Sequence, residues 1–502
     1  MRLLGLDVGT TGCKAMLVDP ESGRCVRAFR EYGVDADASG RAEQDARGVW
    51  TLAMAAMRET LEKEAFPPVA AVSVSVQGDA VIPLNADGDP VHPAILGMDY
   101  RCRSELEECA GLFDGFDLFR RTGMRPHPIN SFLKMLWFRS ERKDAFARTA
   151  HLASYGDYLL GKLGCPGVID MCNASRSMAF NIEAVDWDDG VLSAFAFPAG
   201  LLPRIVPSGT PLGRMDAGLT AELGLAAPPL IVAGGHDQPM CAIGAGCIDA
   251  DIAVATTGTA EVISRYLPAP VLSRGMYDSY YPCYSSAMGK GWFTFSLNHV
   301  GGLALRWLRD AWCGEEVRLA NESGRDPYDV IVDAMPPGPA PMYVLPHFTG
   351  SGTPFCDFSS RASFVGMTLE TDRPTVALAL LEGLTFDLKA NLDRMRDLGM
   401  TTARLRNVGG GSRSGRWLQL KADILGVPVE VMRNADAGCL GAAIVAGVGA
   451  GVFAGHAEGV ARLVAVERCH EPDPAMSAAY AERYRGYRKA YAALALFHGG
   501  EG

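Results

Sequence analysis

Two apolar runs, Leu3 to Val8 and Ala15 to Val18, close around Gly9-Thr10-Thr11-Gly12, and no other stretch narrows the architecture as much. Short apolar runs bounded by Gly and Thr read as strands, so the chain is expected to open on an antiparallel hairpin. The N–H groups and hydroxyls of such a tip can surround an oxyanion. Asp7, at the strand end, is placed to hold a hydrated Mg2+ beside it. A plain surface hairpin fits the same residues, because Gly and Thr are ordinary turn formers. Further turns of the same kind would separate the two readings.

Two more occur. Ala250 to Arg265 predicts a hairpin with Thr256-Thr257-Gly258-Thr259 at its tip, and Leu405 leads through Gly409-Gly410-Gly411-Ser412-Arg413-Ser414 into a helix over Trp417 to Leu425. At 502 residues the chain is too long for one ordinary core. With the opening hairpin type repeated past mid-chain, two similar halves are expected, 1–247 and 248–502, facing each other. Strands are also expected at Cys25 to Tyr32, Ala70 to Val76, Pro229 to Ala233 and Pro428 to Met432. An amphipathic helix is expected over Glu43 to Glu64, and helices over Arg101 to Phe113 and Ser131 to Ala153. Asn85-Ala86-Asp87-Gly88 predicts the turn of a further hairpin within Ala80 to Pro93.

The formal net charge of -11 argues against nucleic acid or an anionic membrane as the principal partner, while leaving room for a locally basic nucleotide site. The 13 cysteines form no Cys-x-x-Cys pair, which points to reduced thiols and a cytoplasmic protein. Gly438 to Gly455 is uncharged and near membrane-helix length, but Gly and Ala dominate it, so a closely packed internal helix is expected.

Three Gly/Ser/Thr turns after apolar strands suggest a nucleotide gripped from several sides. Neither a Walker sequence nor a dinucleotide glycine fingerprint is present. Gly409-Gly410-Gly411 either forms a tight turn or lets backbone approach a purine or its phosphate, with the helix beginning near Arg416 facing the ligand. Asp237 follows Gly234-Gly235-His236 where a strand leaves the core, and it suits either a general base or the N-cap of the next helix. Asp79, Asp99 and Arg101 surround the hairpin of Ala80 to Pro93, as hydroxyl-binding groups or as solvated turn residues. His236 reads as a hydrogen-bonding neighbour of Asp237, since no His or Cys stands at ligand spacing. Burial is the expected role of Trp137.

In order and spacing these motifs resemble those of the FGGY carbohydrate kinase family over nearly the whole chain. Asp7-Val8-Gly9-Thr10-Thr11 with Lys14 resembles its first phosphate motif. Ser131-Phe132-Leu133-Lys134-Met135-Leu136-Trp137 is close to its first signature, with Ile129 and Ser140 departing from the usual types. Gly234-Gly235-His236-Asp237 resembles the catalytic-base motif and Thr257-Gly258-Thr259 the second phosphate motif. Phe364-Val365-Gly366-Met367 through Leu381-Glu382-Gly383 approximates the second signature. Gly409-Gly410-Gly411-Ser412 through Gln419 and Ala422-Asp423 resembles the adenosine motif.

The resemblance implies an α/β fold of two actin-like, ribonuclease-H-type domains with a cleft between them. It implies ATP mainly on the C-terminal half and a sugar or polyol mainly on the N-terminal half. Asp237 would act as base and Asp7 would hold Mg2+. The acceptor would meet Gln77, Asp79, Asp99, Arg101 and Asp237. ATP would meet Thr10, Thr11, Lys14, Gly258, Thr259, Gly302, Gly410, Gly411, Ser412 and Ser414. Phosphoryl transfer asks for this kind of positioning and charge compensation. Homodimer formation is left open.

Xylulose kinases are the nearest general resemblance, yet they usually carry Met-His after the glutamine equivalent to Gln77, where this chain has Gly78-Asp79. Glycerol kinases carry an acidic residue at the Asp79 position, preceded by an Arg that Gly78 replaces, and an aromatic residue common before Asp99 is replaced by Gly97. These departures are expected to enlarge or reshape the acceptor pocket. An ATPase of the actin or chaperone class, or a sugar-binding regulator without catalysis, are the rival readings of the same architecture.

Overall fold

Near-continuous apolar runs, buried on both faces, put the opening hairpin in the interior of a sheet. In the computed structural model, which describes residues 1–498, strands β1 (Arg2–Val8), β2 (Gly12–Val18) and β3 (Cys25–Glu31) form an antiparallel meander. On the other side of β1 runs β4 (Val69–Val76), parallel to it. The edge strand β5 (Pro211–Arg214) runs antiparallel to β6 (Leu230–Val232), which pairs with β4 in parallel, and β7 (Gly235–His236) continues along β4. The sheet order is therefore β5-β6-β4-β1-β2-β3.

The second half repeats the plan. β8 (Ile252–Thr257), β9 (Glu261–Leu267) and β11 (Trp292–Asn298) make the meander, with β10 (Tyr284–Ser285) at its edge. Parallel to β8 run β12 (Arg404–Val408) and then β13 (Val429–Met432), and β14 (Val466–His470) closes the other edge antiparallel. A three-stranded meander extended by parallel strands on its first member, twice in one chain, is the α/β arrangement expected of a ribonuclease-H-type pair.

Helices cover both faces of each sheet. α1 (Ala46–Glu62) is capped by Asp45, whose side chain accepts from the Arg47 N–H, a cap worth about 1 kcal/mol. It packs Val49, Ala53, Ala56 and Met57 against Leu4, Leu6 and Val8, while Leu3 points to the opposite face because strand side chains alternate. That opposite face receives α3 (Asp237–Gly244) and α7 (Ala437–Gly449), the latter arriving from the far end of the chain. On the second sheet, α5 (Arg373–Asp397) and α6 (Gly415–Leu425) bury Leu380, Leu384 and Leu418 with Ala253 and Leu405. Residues 499–502 of the second expected half lie outside the described residues.

The helix expected over Ser131 to Ala153 is instead Ser131–Glu141, Lys143–Ala147 and a strand His151–Ala153. The polar run Arg139 to Lys143 ends the apolar stripe, and Arg142 leaves helical backbone (φ -127°, ψ 54°). The hairpin expected over Ala80 to Pro93 keeps its turn, with the Gly88 N–H donating to Asn85 O, but Ile82–Leu84 takes its ladder from His151–Ala153. The apolar stretch at Gly438 is the buried α7 and its terminating turn. No helix among the described residues is long and apolar enough to cross a membrane.

Candidate active site

The tip of the first meander and the loop after β12 line a cleft, and the second tip packs against that loop through Thr257. One cavity of about 880 Å³ is lined by Asp7, Gly9, Thr10, Thr11, Lys14, Gly409, Gly410, Ser412 and Asp436, which come from both halves. At the first tip the Gly9 N–H donates to Gly12 O at 3.0 Å. The Tyr32 hydroxyl holds Gly9 O at 2.8 Å, and the Gln44 amide donates to Thr10 O at 2.9 Å. Gln77 is buried and donates its own amide to Gln44 at 3.0 Å, so it reaches the Thr10 turn through that residue.

The second tip is built on the start of a helix, α4 (Gly302–Trp312). Gly302 N–H donates to Gly258 O and Gly301 N–H to Thr259 O, each at 2.8 Å, so the turn and the positive end of α4 face the same space. Gly302 is required there, since a Cβ would lie 2.8 Å from Gly258 O. Gly409 takes a left-handed backbone (φ +86°), and Gly410 to Arg413 form a short 3-10 turn laid against Thr257. The Ser412 hydroxyl closes it on Gly409 O at 2.6 Å, and Ser414 caps α6 by accepting from the Trp417 N–H.

Beneath this turn lies an ion pair unpredicted by sequence. Lys421 and Glu261 are fully buried and 2.6 Å apart, and the Lys421 ammonium also donates to Thr257 Oγ1 at 2.8 Å and Asn407 Oδ1 at 3.0 Å. It ties α6, β9 and β12 to the second tip.

Two carboxylates stand where the halves meet. Asp7 accepts from the Ser75 hydroxyl at 2.6 Å and faces the N-terminus of α7, where a Cβ on Gly438 would lie 2.9 Å from the carboxylate. Burial raises its pKa, opposed by Ser75 and Lys14. Asp237 is the first residue of α3, and the N-cap is His236, so the capping alternative does not apply. Burial first, and then the charge of Asp7, push the Asp237 carboxyl up to about 7, with Arg176 opposing. His236 Nε2 lies 3.1 Å from Asp237 Oδ1 and its Nδ1 lies 3.2 Å from the Tyr284 hydroxyl. Burial holds this imidazole well below its usual pKa, hence neutral, donating from Nε2 and accepting at Nδ1.

On the acceptor side the structure separates the expected residues. Asp79 is buried and paired with Arg176, and its backbone is left-handed (φ +64°). Asp99 is fully buried, with its oxygens taken by the Ala42 N–H at 2.6 Å and by Arg101. Arg101 in turn holds Glu43 at 2.7 Å and lies over the buried Trp137. Asp99 and Arg101 thus form a brace for the loop beside Asp79, with no carboxylate oxygen of Asp99 left unengaged. Gly78 and Gly97 do not enlarge the pocket. A Cβ on Gly78 would stand 2.5 Å from His236, and one on Gly97 would stand 3.3 Å from the Asp79 Cβ. Lys14 lies in the cleft but is held at 3.0 Å by Asp436, which Arg27 also contacts. Arg176 and Asp436 carry no signal in the sequence, because the groups they serve are distant in the chain.

Comparison with known proteins matches both halves of the chain. The FGGY family of carbohydrate kinases, N-terminal domain, matches residues 2–244 and the C-terminal domain of that family matches residues 253–450. The autoinducer-2 kinase of Escherichia coli (strain K12) is 29% identical over 486 residues, covering 94% of this chain and 90% of that protein. A glycerol kinase of Rhodospirillum rubrum is 32% identical over 471 residues, covering 91% and 92%. The solved structure of a xylulose kinase from Rhodospirillum rubrum superposes with a TM-score of 0.88 at 25% identity, covering 99% of this chain and 100% of that one. With both halves matched, this chain belongs to the FGGY family of carbohydrate kinases.

Proposed function

We propose that the protein transfers the γ-phosphoryl group of ATP to a hydroxyl of an uncharged sugar or polyol, with Asp237 as the general base. The observation that carries this reading is the Asp237 carboxyl itself. It stands at a helix start between the halves, is oriented by neutral His236, and has a proton affinity raised to about 7, which suits a base that takes a hydroxyl proton near neutral pH. ATP would lie along the cleft of Thr10, Thr11, Gly258, Thr259 and Gly410 to Ser414. The hydroxyls of Thr10, Thr11 and Thr259 at the two tips would donate to phosphate oxygens.

Asp7 suits a divalent cation: it is a carboxylate that burial disfavours when ionised, beside a serine hydroxyl, at the edge of the phosphate space. Mg2+ held there would offset charge developing between the β- and γ-phosphates. Asp79 is an acceptor of hydroxyl hydrogen bonds. Asp7, Asp79 and Asp237 outnumber the buried cations Arg176 and Lys134 near them, and the Lys134 ammonium is held by the Pro128 and Ile129 carbonyls, which favours a neutral acceptor over a sugar acid. Gly78-Asp79 also sets the site apart from the Met-His pair usual in xylulose kinases. We take 1–247 and 248–502 as the two units that close on the substrates.

An ADP-release assay over ketoses, aldoses, polyols and sugar acids tests the reading. Turnover with a neutral polyhydroxy compound, lowered by roughly 10²–10⁴-fold in the Asp237→Asn variant, is the expected result. ATP turnover indifferent to every acceptor would favour an actin-class ATPase instead.

A further inference from the structure

Arg176 stands where the acceptor side meets the second half of the molecule. It follows the short helix α2 (Met171–Ala174) and is 3% exposed. Its Nε lies 3.2 Å from both oxygens of Asp79, and its Nη2 also bonds Asp79 Oδ2. The guanidinium carbon sits 4.9 Å from the ring of Tyr284 and 5.3 Å from that of Phe295, both from the second sheet. Tyr284 is also the residue whose hydroxyl meets His236, the orienting neighbour of Asp237. Arg176 therefore touches both chains of contact that lead to the reacting hydroxyl.

The backbone is shaped around this arginine. Asp79 holds a left-handed conformation, which Asp tolerates better than most non-glycine residues and which here turns its carboxylate onto Arg176. Gly78 leaves no room for a side chain, since a Cβ there would lie 2.5 Å from His236 Cδ2 and 3.2 Å from Arg176 Nε. The Nη1 of Arg176 is buried without a hydrogen-bond partner, an arrangement tolerated only where the rest of the group is strongly held.

We propose that Arg176 is the positioning residue of this kinase, fixing Asp79 against the acceptor and, through Tyr284 and His236, fixing the base relative to it. This rests on the reading of Asp237 as base and Asp79 as acceptor ligand. A planar fork resting on an aromatic ring suits the task better than a lysine, which offers a single point charge. Arg176 also sets the field at the base. The charged and titratable groups around Asp237 are Asp7 on β1, Asp79 after β4, Cys172 and Arg176 at α2, His236 on β7, Cys241 on α3 itself and Tyr284 on β10. Lys14 on β2 is engaged by Asp436. Asp7 and Asp79 raise the proton affinity of Asp237, and Arg176 lowers it.

The test measures kcat and KM for the acceptor found by the ADP-release screen against pH, with affinity for a non-hydrolysable ATP analogue by calorimetry, on the full chain. Arg176→Gln is expected to raise the acceptor KM by about tenfold or more and to move the rising limb of kcat/KM up by roughly one pH unit. Affinity for the ATP analogue should hold within about twofold. Arg176→Lys should raise KM with the limb near its original place. Asp79→Asn, which removes a negative charge, should move the limb the other way.

An unmoved limb in Arg176→Gln, or parallel losses of acceptor and nucleotide affinity, would overturn the proposal. If Arg176→Gln does not fold, an unchanged KM in Arg176→Lys or an unmoved limb in Asp79→Asn overturns it equally. Asp237→Asn separates the two readings. If the limb survives in that variant, the base assignment fails. If the limb vanishes there but ignores Arg176→Gln, only the role of Arg176 fails.

Discussion

Burial makes the Asp237 carboxyl basic enough to accept a hydroxyl proton and also makes its ionised form unwelcome in the fold. Both effects can be measured. Activity should rise with pH through about 7, because only the ionised base accepts a proton. Asp237→Asn should lower kcat by roughly 10²–10⁴-fold and abolish that limb, with nucleotide binding intact. On stability, a carboxyl whose folded pKa is raised stabilises the fold below its unfolded value of about 4 and loses that contribution as pH rises through about 7. Asp237→Asn should therefore show a Tm gain over the parent that grows from pH 4 to pH 8, and a constant difference would contradict the burial argument. About a third of the side chain (32%) is solvent-exposed, so screening moderates the effect. At Asp7, Asp7→Ala should raise the Mg2+ concentration needed for half-maximal rate and slow transfer. An unchanged metal titration would remove Asp7 from the metal site. Asp7, Asp79 and Asp237 stand out in the sequence because each lies at or just past the end of an apolar strand with a glycine within two residues. Arg176 was not, since nothing near it in sequence announces Asp79, 97 positions away. Asp99 was visible as a polar residue, but its engagement with Ala42 and Arg101 is a tertiary fact.

Elements were readable where periodicity was strong and local. The two hairpins with threonine tips, the amphipathic α1 and the turn into α6 follow from patterns of a dozen residues or so. The helix expected after Ser131 breaks at Arg142 where a local polar run ends its apolar stripe, whereas the strand at His151–Ala153 is not readable locally because it depends on a partner at Ile82–Leu84. The tie between Lys421 and Glu261 belongs to this scale, since it joins a helix and two strands under one turn. Lys421→Met leaves a buried carboxylate without its cation and should lower unfolding free energy by about 3–5 kcal/mol. Adding Glu261→Leu should recover most of that loss, because no uncompensated charge remains. Denaturant titration of the single and double variants checks this, and an additive loss would mean that the residues act by packing alone.

The molecule is one sheet plan used twice, with α7 from the end of the chain completing the core of the first copy. The tip of the first copy and the loop after β12 of the second line one cavity, so acceptor and nucleotide together are expected to draw the halves closer and expel water. Small-angle scattering with a turned-over acceptor and a non-hydrolysable ATP analogue should show a smaller radius of gyration than the free protein. Identical values at saturation would leave closure to local loops. Where α3 crosses α7, Gly244 faces Ala437 O and Gly441 faces Met240 O so closely that neither position has room for a Cβ. Main chain thus meets main chain at this crossing, inside the apolar cluster that Met240 and Ile243 share with Leu440 and Ile444. The separation of the two helices is set by two missing methyl groups, and a single added one at either glycine would have to push the helices apart.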